Sequence, residues 1–376
     1  MKLKGSHPSK LLIKRHTMKR YFLLSALALI VLFLTQCRKP NEYHLFTAFP
    51  VTVELSHKPI NIESPTLYPS GMVFLDSALV VLDISGDYFL SFFTLDDFDL
   101  INRSIRRGRG PSEEVSVFFI SNAMEENKFW YRTHSGIKTV KYQPGKDELI
   151  PVGFSQNCDA FSGLTFPLGD DLLGFSQNAQ SSEFVKISTD DCAIVDFGPN
   201  FPNVGRELSI NEKDYLLGTK SLSIRPDGEL FAVLYHYFPI LRIFNSNNGS
   251  LKREVRFNNN QDFPYSAIDV NATPEEKMST TTNYFVSHAT NRFIYASYAG
   301  RSLLEIQPNI IRDGFKITDF TNEIHVFDWE GNPVKRLVLD KSIFAFAVSP
   351  DDKTLVAIPM SDPSVLLKYD LSSILN

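Results

Sequence analysis

GMVFLDSALVVLDISGDYFLSFFTLDDFDLINRSIRRGRGPSEE, residues Gly71–Glu114, is the stretch whose reading decides the fold. Met72–Leu75 is a short apolar run stopped by a polar turn at Asp76-Ser77. Leu79–Asp83 follows, and a second turn at Ser85-Gly86-Asp87 leads into Tyr88–Leu95. Asp96-Asp97 turns the chain once more, into Leu100–Ile105. Val, Ile, Phe and Tyr suit a pleated, half-buried surface, whereas Gly, Asp and Ser accept the dihedral angles of tight turns. The pattern predicts four strands in about forty residues, the size of one β-propeller blade.

The unit recurs along the chain. A polar turn followed by an apolar strand is met at Leu79, Phe129, Leu172, Leu230, Phe293 and Leu355, at intervals of 43 to 63 residues. A blade takes about 40–50 residues, so the later units carry loops. Six anchors predict an all-β, six-bladed propeller, with seven blades as the alternative. Second strands echo one another at Phe89–Phe93, Ile240–Phe244 and Glu323–Phe327. The insertions are Asn258–Asn283 and Gln307–Thr318, and Thr273 before Pro274-Glu275-Glu276 predicts a short surface helix. His44–Leu55 stands outside the first blade and is expected to complete the last one, closing the ring so that no sheet edge is left open.

The N-terminal segment reads as an address. Lys14-Arg15 and Lys19-Arg20 precede an apolar run, Tyr21–Leu34, which is short for a membrane-spanning helix and has the form of a signal peptide. Leu34-Thr35-Gln36-Cys37 resembles a bacterial lipoprotein signal, whose Cys is lipidated and becomes the mature N-terminus. Gln36 departs from that pattern, which favours a small residue there. The expected organisation is a signal at 1–37, with 1–17 as an upstream extension before Met18, a polar tether at 38–43 and a propeller domain at 44–376. It implies lipid anchoring in the cell envelope, at the outer membrane, with the propeller in the periplasm or on the surface.

Composition narrows the function classes. A formal net charge of −5 gives no basic face of the kind nucleic-acid binding requires. Three cysteines are too few for a disulfide scaffold. With Cys37 assigned to lipid, Cys158 and Cys192 are left as either a disulfide formed in an oxidising compartment or two buried thiols. Asp159 and Asp191 beside them disfavour a reactive thiolate.

Three local patterns resemble the TolB-like six-bladed propeller lipoproteins of Gram-negative envelopes. They are Leu79-Val80-Val81-Leu82-Asp83, the loop Gly108-Arg109-Gly110-Pro111-Ser112-Glu113, and Tyr295-Ala296-Ser297-Tyr298-Ala299-Gly300-Arg301. The likeness spans roughly residues 45–375. It implies a periplasmic or surface propeller and supplies no catalytic residues.

The candidate chemistry lies in the loops that a propeller gathers on one face of its ring. That face is expected to collect Asp83, Asp87, Arg107, Arg109, His134, His236, Tyr298 and Arg301 as ligand-binding residues. The Arg103–Arg109 stretch, with glycines at 108 and 110, has two readings: backbone N–H groups and guanidinium forks cradling an anion, or an inter-blade turn in which Glu113 or Glu114 pairs with an Arg. The acidic pairs Asp96-Asp97, Asp170-Asp171, Asp190-Asp191 and Asp351-Asp352 fall where turns are expected and read as turn chemistry, not as calcium ligands. Gly-x-Ser-x-Gly, His-Glu-x-x-His and phosphate-loop motifs are absent from the sequence. The reading that follows is a binding or scaffold protein without catalytic residues, metal or cofactor, for an envelope protein, peptide or glycan. The alternative is a metal-dependent propeller hydrolase or lactonase, with calcium at the channel mouth.

Overall fold

The computed structural model describes residues 43–60, 68–122, 127–146, 148–156, 164–176, 182–258, 268–269, 271–314, 316–362 and 364–375. Cys37, Cys158 and the whole signal segment lie outside them, and His44–Asn376 form one compact unit.

The chain is a six-bladed propeller. Each blade is an antiparallel four-strand meander read from the channel outward. Blade one comprises Pro69–Phe74, Leu79–Asp83, Tyr88–Phe93 and Leu100–Arg107, and Glu113–Glu114 adds a short parallel edge. Blade two comprises Val117–Asn122, Lys128–Thr133, Gly136–Gln143 and Glu148–Gln156; blade three comprises Thr165–Leu168, Asp171–Phe175, Phe184–Ile187 and Ile194–Phe197. Blade four runs through Lys220–Ile224, Leu230–Tyr235, Ile240–Asn245 and Leu251–Phe257. Blade five contains Thr281–Ala289, Phe293–Ser302, Thr321–Asp328 and the first part of Pro333–Val348. That last strand runs on into blade six, where Ile343 onward pairs with Thr354–Pro359, and Leu366–Asp370 follows. One 16-residue strand thus serves as the outer edge of one blade and the channel wall of the next.

All six anchors open, or stand one residue inside, the second strand of their blade, and each is buried at 9% exposure or less. The core therefore forms between blades, where the second and third strands of neighbouring sheets interdigitate. Leu82, Phe89 and Phe92 of blade one meet Phe129, Val140 and Tyr142 of blade two, for example. The expected surface helix is Pro274–Ser279. Thr273 caps it, and the Glu276 side chain returns a bond to the Thr273 N–H, satisfying two donors that a helix start leaves free.

An N-terminal strand closes the ring as expected, but not the one expected. His44–Leu55 is not one strand and does not complete the last blade. Tyr43–Phe46 adds a fifth strand to blade four, and Thr52–Leu55 lies parallel to Pro333–Val348 on blade five. Lys58–Ile60 completes blade six against Leu366–Lys368. The break has a simple cause: Pro50 has no N–H to give a ladder, and the bend at 47–50 moves the chain to the next blade. Ile60 then joins Leu366 and Val356 of blade six and Leu79 and Val81 of blade one in one apolar cluster, which seals the joint between the first and last blades.

Candidate functional site

Two of the concave regions among the described residues bear on function. The first is the central channel, a chamber of about 160 Å³ walled by the innermost strands, among them Gly71–Val73, Phe118–Asn122, Leu222–Ile224, Val286–Ala289 and Phe344–Phe346. Among the described residues of that lining, His288 is the one titratable side chain. Burial in the wall holds its imidazole down at about 4, with a backbone hydrogen bond to Val348 acting weakly against it. The Ser223 and Ser287 hydroxyls bridge the wall at 2.8 Å.

The second region is a groove of about 610 Å³ where blades four and five and the N-terminal crossing meet. Phe49, Phe257 and Tyr298 give it aromatic surface, and Asn258, Arg301, Thr321, Asn322, Glu323 and Arg336 give it polar groups. Sheet register assembles it: His325 stands opposite Arg336, with Glu323 two residues away on the same face. His325 is fully buried, its ring stacked on Tyr298 at 4.2 Å and against Phe49 at 4.3 Å. An ionised Glu323 can only accept, so His325 Nε2 carries the ring proton and donates to Glu323 Oε1 at 2.7 Å. Nδ1 of the neutral imidazole then accepts from the Tyr284 hydroxyl, which burial keeps protonated, at 3.2 Å. Burial lowers the His325 pKa while Glu323 opposes that shift. Arg336 donates to the other carboxylate oxygen, and burial of Glu323 is outweighed by these two partners, which keep it ionised.

Gly300 explains why Tyr298 and Arg301 arrive together. Its φ of +63° lies in the left-handed region, and a Cβ there would stand 2.7 Å from the Tyr298 ring. A glycine alone lets the strand end bend back over its own tyrosine.

Of the residues expected to gather on one face, Tyr298 and Arg301 share this groove. The others lie outside it. Asp83 accepts from the backbone N–H of Tyr68 (3.1 Å), Ser85 (2.9 Å) and Gly86 (3.2 Å), an arrangement that shapes its own turn. Arg107 donates to the carbonyls of Ile84 (2.7 Å) and Gly86 (3.0 Å) and covers the Phe89 ring at 4.1 Å. Asp87 takes the Arg107 N–H on its carbonyl at 2.8 Å, and Arg109 is exposed at the tip of its loop. His134 lies exposed on a hairpin turn of blade two. His236 packs on Tyr237 and Phe285, and burial holds its pKa down at about 4.

The Gly108–Gly110 cradle is real and already filled. Gly110 N–H donates to Glu113 Oε2 at 2.9 Å, and Arg106 approaches Glu113 Oε1 at 4.0 Å. The chain's own carboxylate thus occupies the place of an external anion. Glu114 pairs with Lys138 of blade two. Among the acidic pairs, Asp171 bridges to Lys186 at 2.6 Å and Asp191 caps its own turn. Asp352 is the exception: it is buried, with φ +59°, and takes the Tyr295 hydroxyl at 2.7 Å. Cys192 is disulfide-bonded. Among the described residues no group of three His, Cys, Asp or Glu is placed to hold a metal ion.

The family described as TolB-like 6-blade propeller-like matches residues 66–351, about three quarters of the chain. The chain belongs to that family. Among solved structures it is similar to a DUF4221-family protein from Bacteroides vulgatus, at TM-score 0.56 and 10% identity, covering 85% of this chain and 96% of that one. A protein from Bacteroides fragilis described as exported matches at TM-score 0.51 and 12% identity, covering 87% of this chain and 98% of that one. At such identities the shared property is the fold. No curated protein matches the chain.

Proposed function

We propose that this TolB-like propeller is a lipid-anchored binding protein of the cell envelope that captures a protein, peptide or glycan partner without chemical turnover. The groove of blades four and five is the observation that carries the reading. It combines aromatic surface, a guanidinium without an ion-pair partner among the described residues (Arg301) and several side chains able to hydrogen-bond a guest. Ligand sites of this kind pair mostly apolar walls with a few placed polar groups. The pattern Leu34–Cys37 supports the anchor, and Arg38–Tyr43 supports a tether to it.

The test is binding of the full chain to fractionated envelope material, compared with Arg301→Glu. Partner binding that the charge reversal weakens supports the reading. Binding that is indifferent to the Arg301→Glu reversal, or turnover of a component of the fraction, contradicts it.

A further inference from the structure

We propose that the groove takes an acidic saccharide, with Arg301 meeting its carboxylate and the neutral polar side chains meeting its hydroxyls; this rests on the groove being the binding site. Charge decides the acidic part. Glu323 is already shared between Arg336 and His325, so Arg336 is neutralised within the wall. Arg301 is exposed and has no ion-pair partner among the described residues, which leaves one uncompensated positive charge over the groove. A guanidinium in that state offers a planar fork matched to a carboxylate.

The remaining lining decides the saccharide part. Thr47, Thr52 and Asn322 bring hydroxyl and amide groups without further charge, whereas the buried Thr321 hydroxyl is used within the wall, donating to the Tyr298 carbonyl and accepting from the Glu323 N–H. Asn322 spends its Nδ2 on the Leu339 carbonyl at 2.7 Å, which leaves its amide oxygen as an acceptor. Phe49 and Phe257 are half-buried on the same lining and present ring surface suited to the C–H face of a sugar.

The experiment is calorimetric titration of the full-length chain with a panel of uronate and sialic-acid oligosaccharides, each beside its methyl ester, which keeps the ring and removes the charge. The expected result is saturable binding of at least one acidic oligosaccharide, about ten- to a hundredfold weaker for its ester and for Arg301→Ala, as loss of a charge-assisted hydrogen-bonded pair implies. Arg301→Lys restores part of the affinity, and because the side chain is exposed these variants fold as the parent does, which thermal melts check. Equal binding of acid and ester, binding unaffected by Arg301→Ala, or no binding across the panel overturns the proposal. In the last case, an envelope protein or peptide whose binding is weakened by Arg301→Glu leaves the binding function standing, so the two failures are distinguishable.

Discussion

Lys220 Nζ lies 2.8 Å from Glu183 Oε1, and neither side chain has any solvent exposure. The same carboxylate takes the Tyr235 hydroxyl and the Arg242 guanidinium, and Arg242 reaches on to Glu254 at 3.2 Å. Phe175 and Phe184 place their rings 4.7 and 5.1 Å from the ammonium. This network clamps blade three to blade four. Burial lowers the Lys220 pKa and Glu183 opposes that shift.

A buried charge that loses its partner is costly, whereas one that keeps a second partner is less so. Glu183→Ala leaves Lys220 and Arg242 facing each other and should cost about 3–5 kcal/mol, by denaturant unfolding. Lys220→Met leaves Glu183 held by Arg242 and Tyr235 and should cost about 1–3 kcal/mol. Equal costs for the two variants would show that Lys220, not Arg242, is what holds the carboxylate.

A Cβ on Gly108 would stand 1.8 Å from Glu113 Oε2. Gly108→Ala should therefore displace the carboxylate and lose its bond to Gly110, at a cost of about 1–2 kcal/mol. Adding Glu113→Ala to that variant should cost nothing further, because the contact is already broken. Additive losses in the cycle would mean that Glu113 is not the group in the cradle.

His236 and His288 are both held down by burial, each to about 4 from an ordinary 6.5. The unfolded chain binds a proton on each below pH 6.5 and the folded chain does not until about pH 4. Stability is therefore fully present above the unfolded value and is lost as pH falls towards the folded one, by about 1–3 kcal/mol per histidine. Melting temperature should drop between pH 7 and 4, and His236→Phe should drop less. Parallel profiles for parent and variant would contradict the assignment.

How far the sequence carried these results depended on the distance over which each feature is encoded. The six anchors were legible because a turn and its following strand are neighbours in the chain. So was the Thr273 cap, and Tyr298 with Arg301, which sit on one strand end bent by Gly300. The inter-blade turn reading of Gly108–Glu113 also held, since both glycines lie within five residues of the carboxylate. The clamp was not legible: Glu183, Lys220 and Arg242 meet only when two blades pack. Glu323, His325 and Arg336 likewise needed the register of two strands, although the alternation Glu323-x-His325-x-Phe327 placed those three on one face. The closing strand was misplaced because Pro50 interrupts what reads as one apolar run.

The proposed anchor makes a separate prediction. If Cys37 is lipidated, the full chain should partition into detergent and take up a fatty-acid label, and Cys37→Ser should do neither. Labelling that survives the substitution would contradict lipidation at that residue.

The most direct test of the central claim is hydrogen–deuterium exchange on the full chain with and without bound envelope partner. Slowed exchange at residues 298–301 and 321–325, with blades one to three unchanged, is the expected result. Protection confined to the channel around His288, with the groove exchanging as in the free chain, would contradict it.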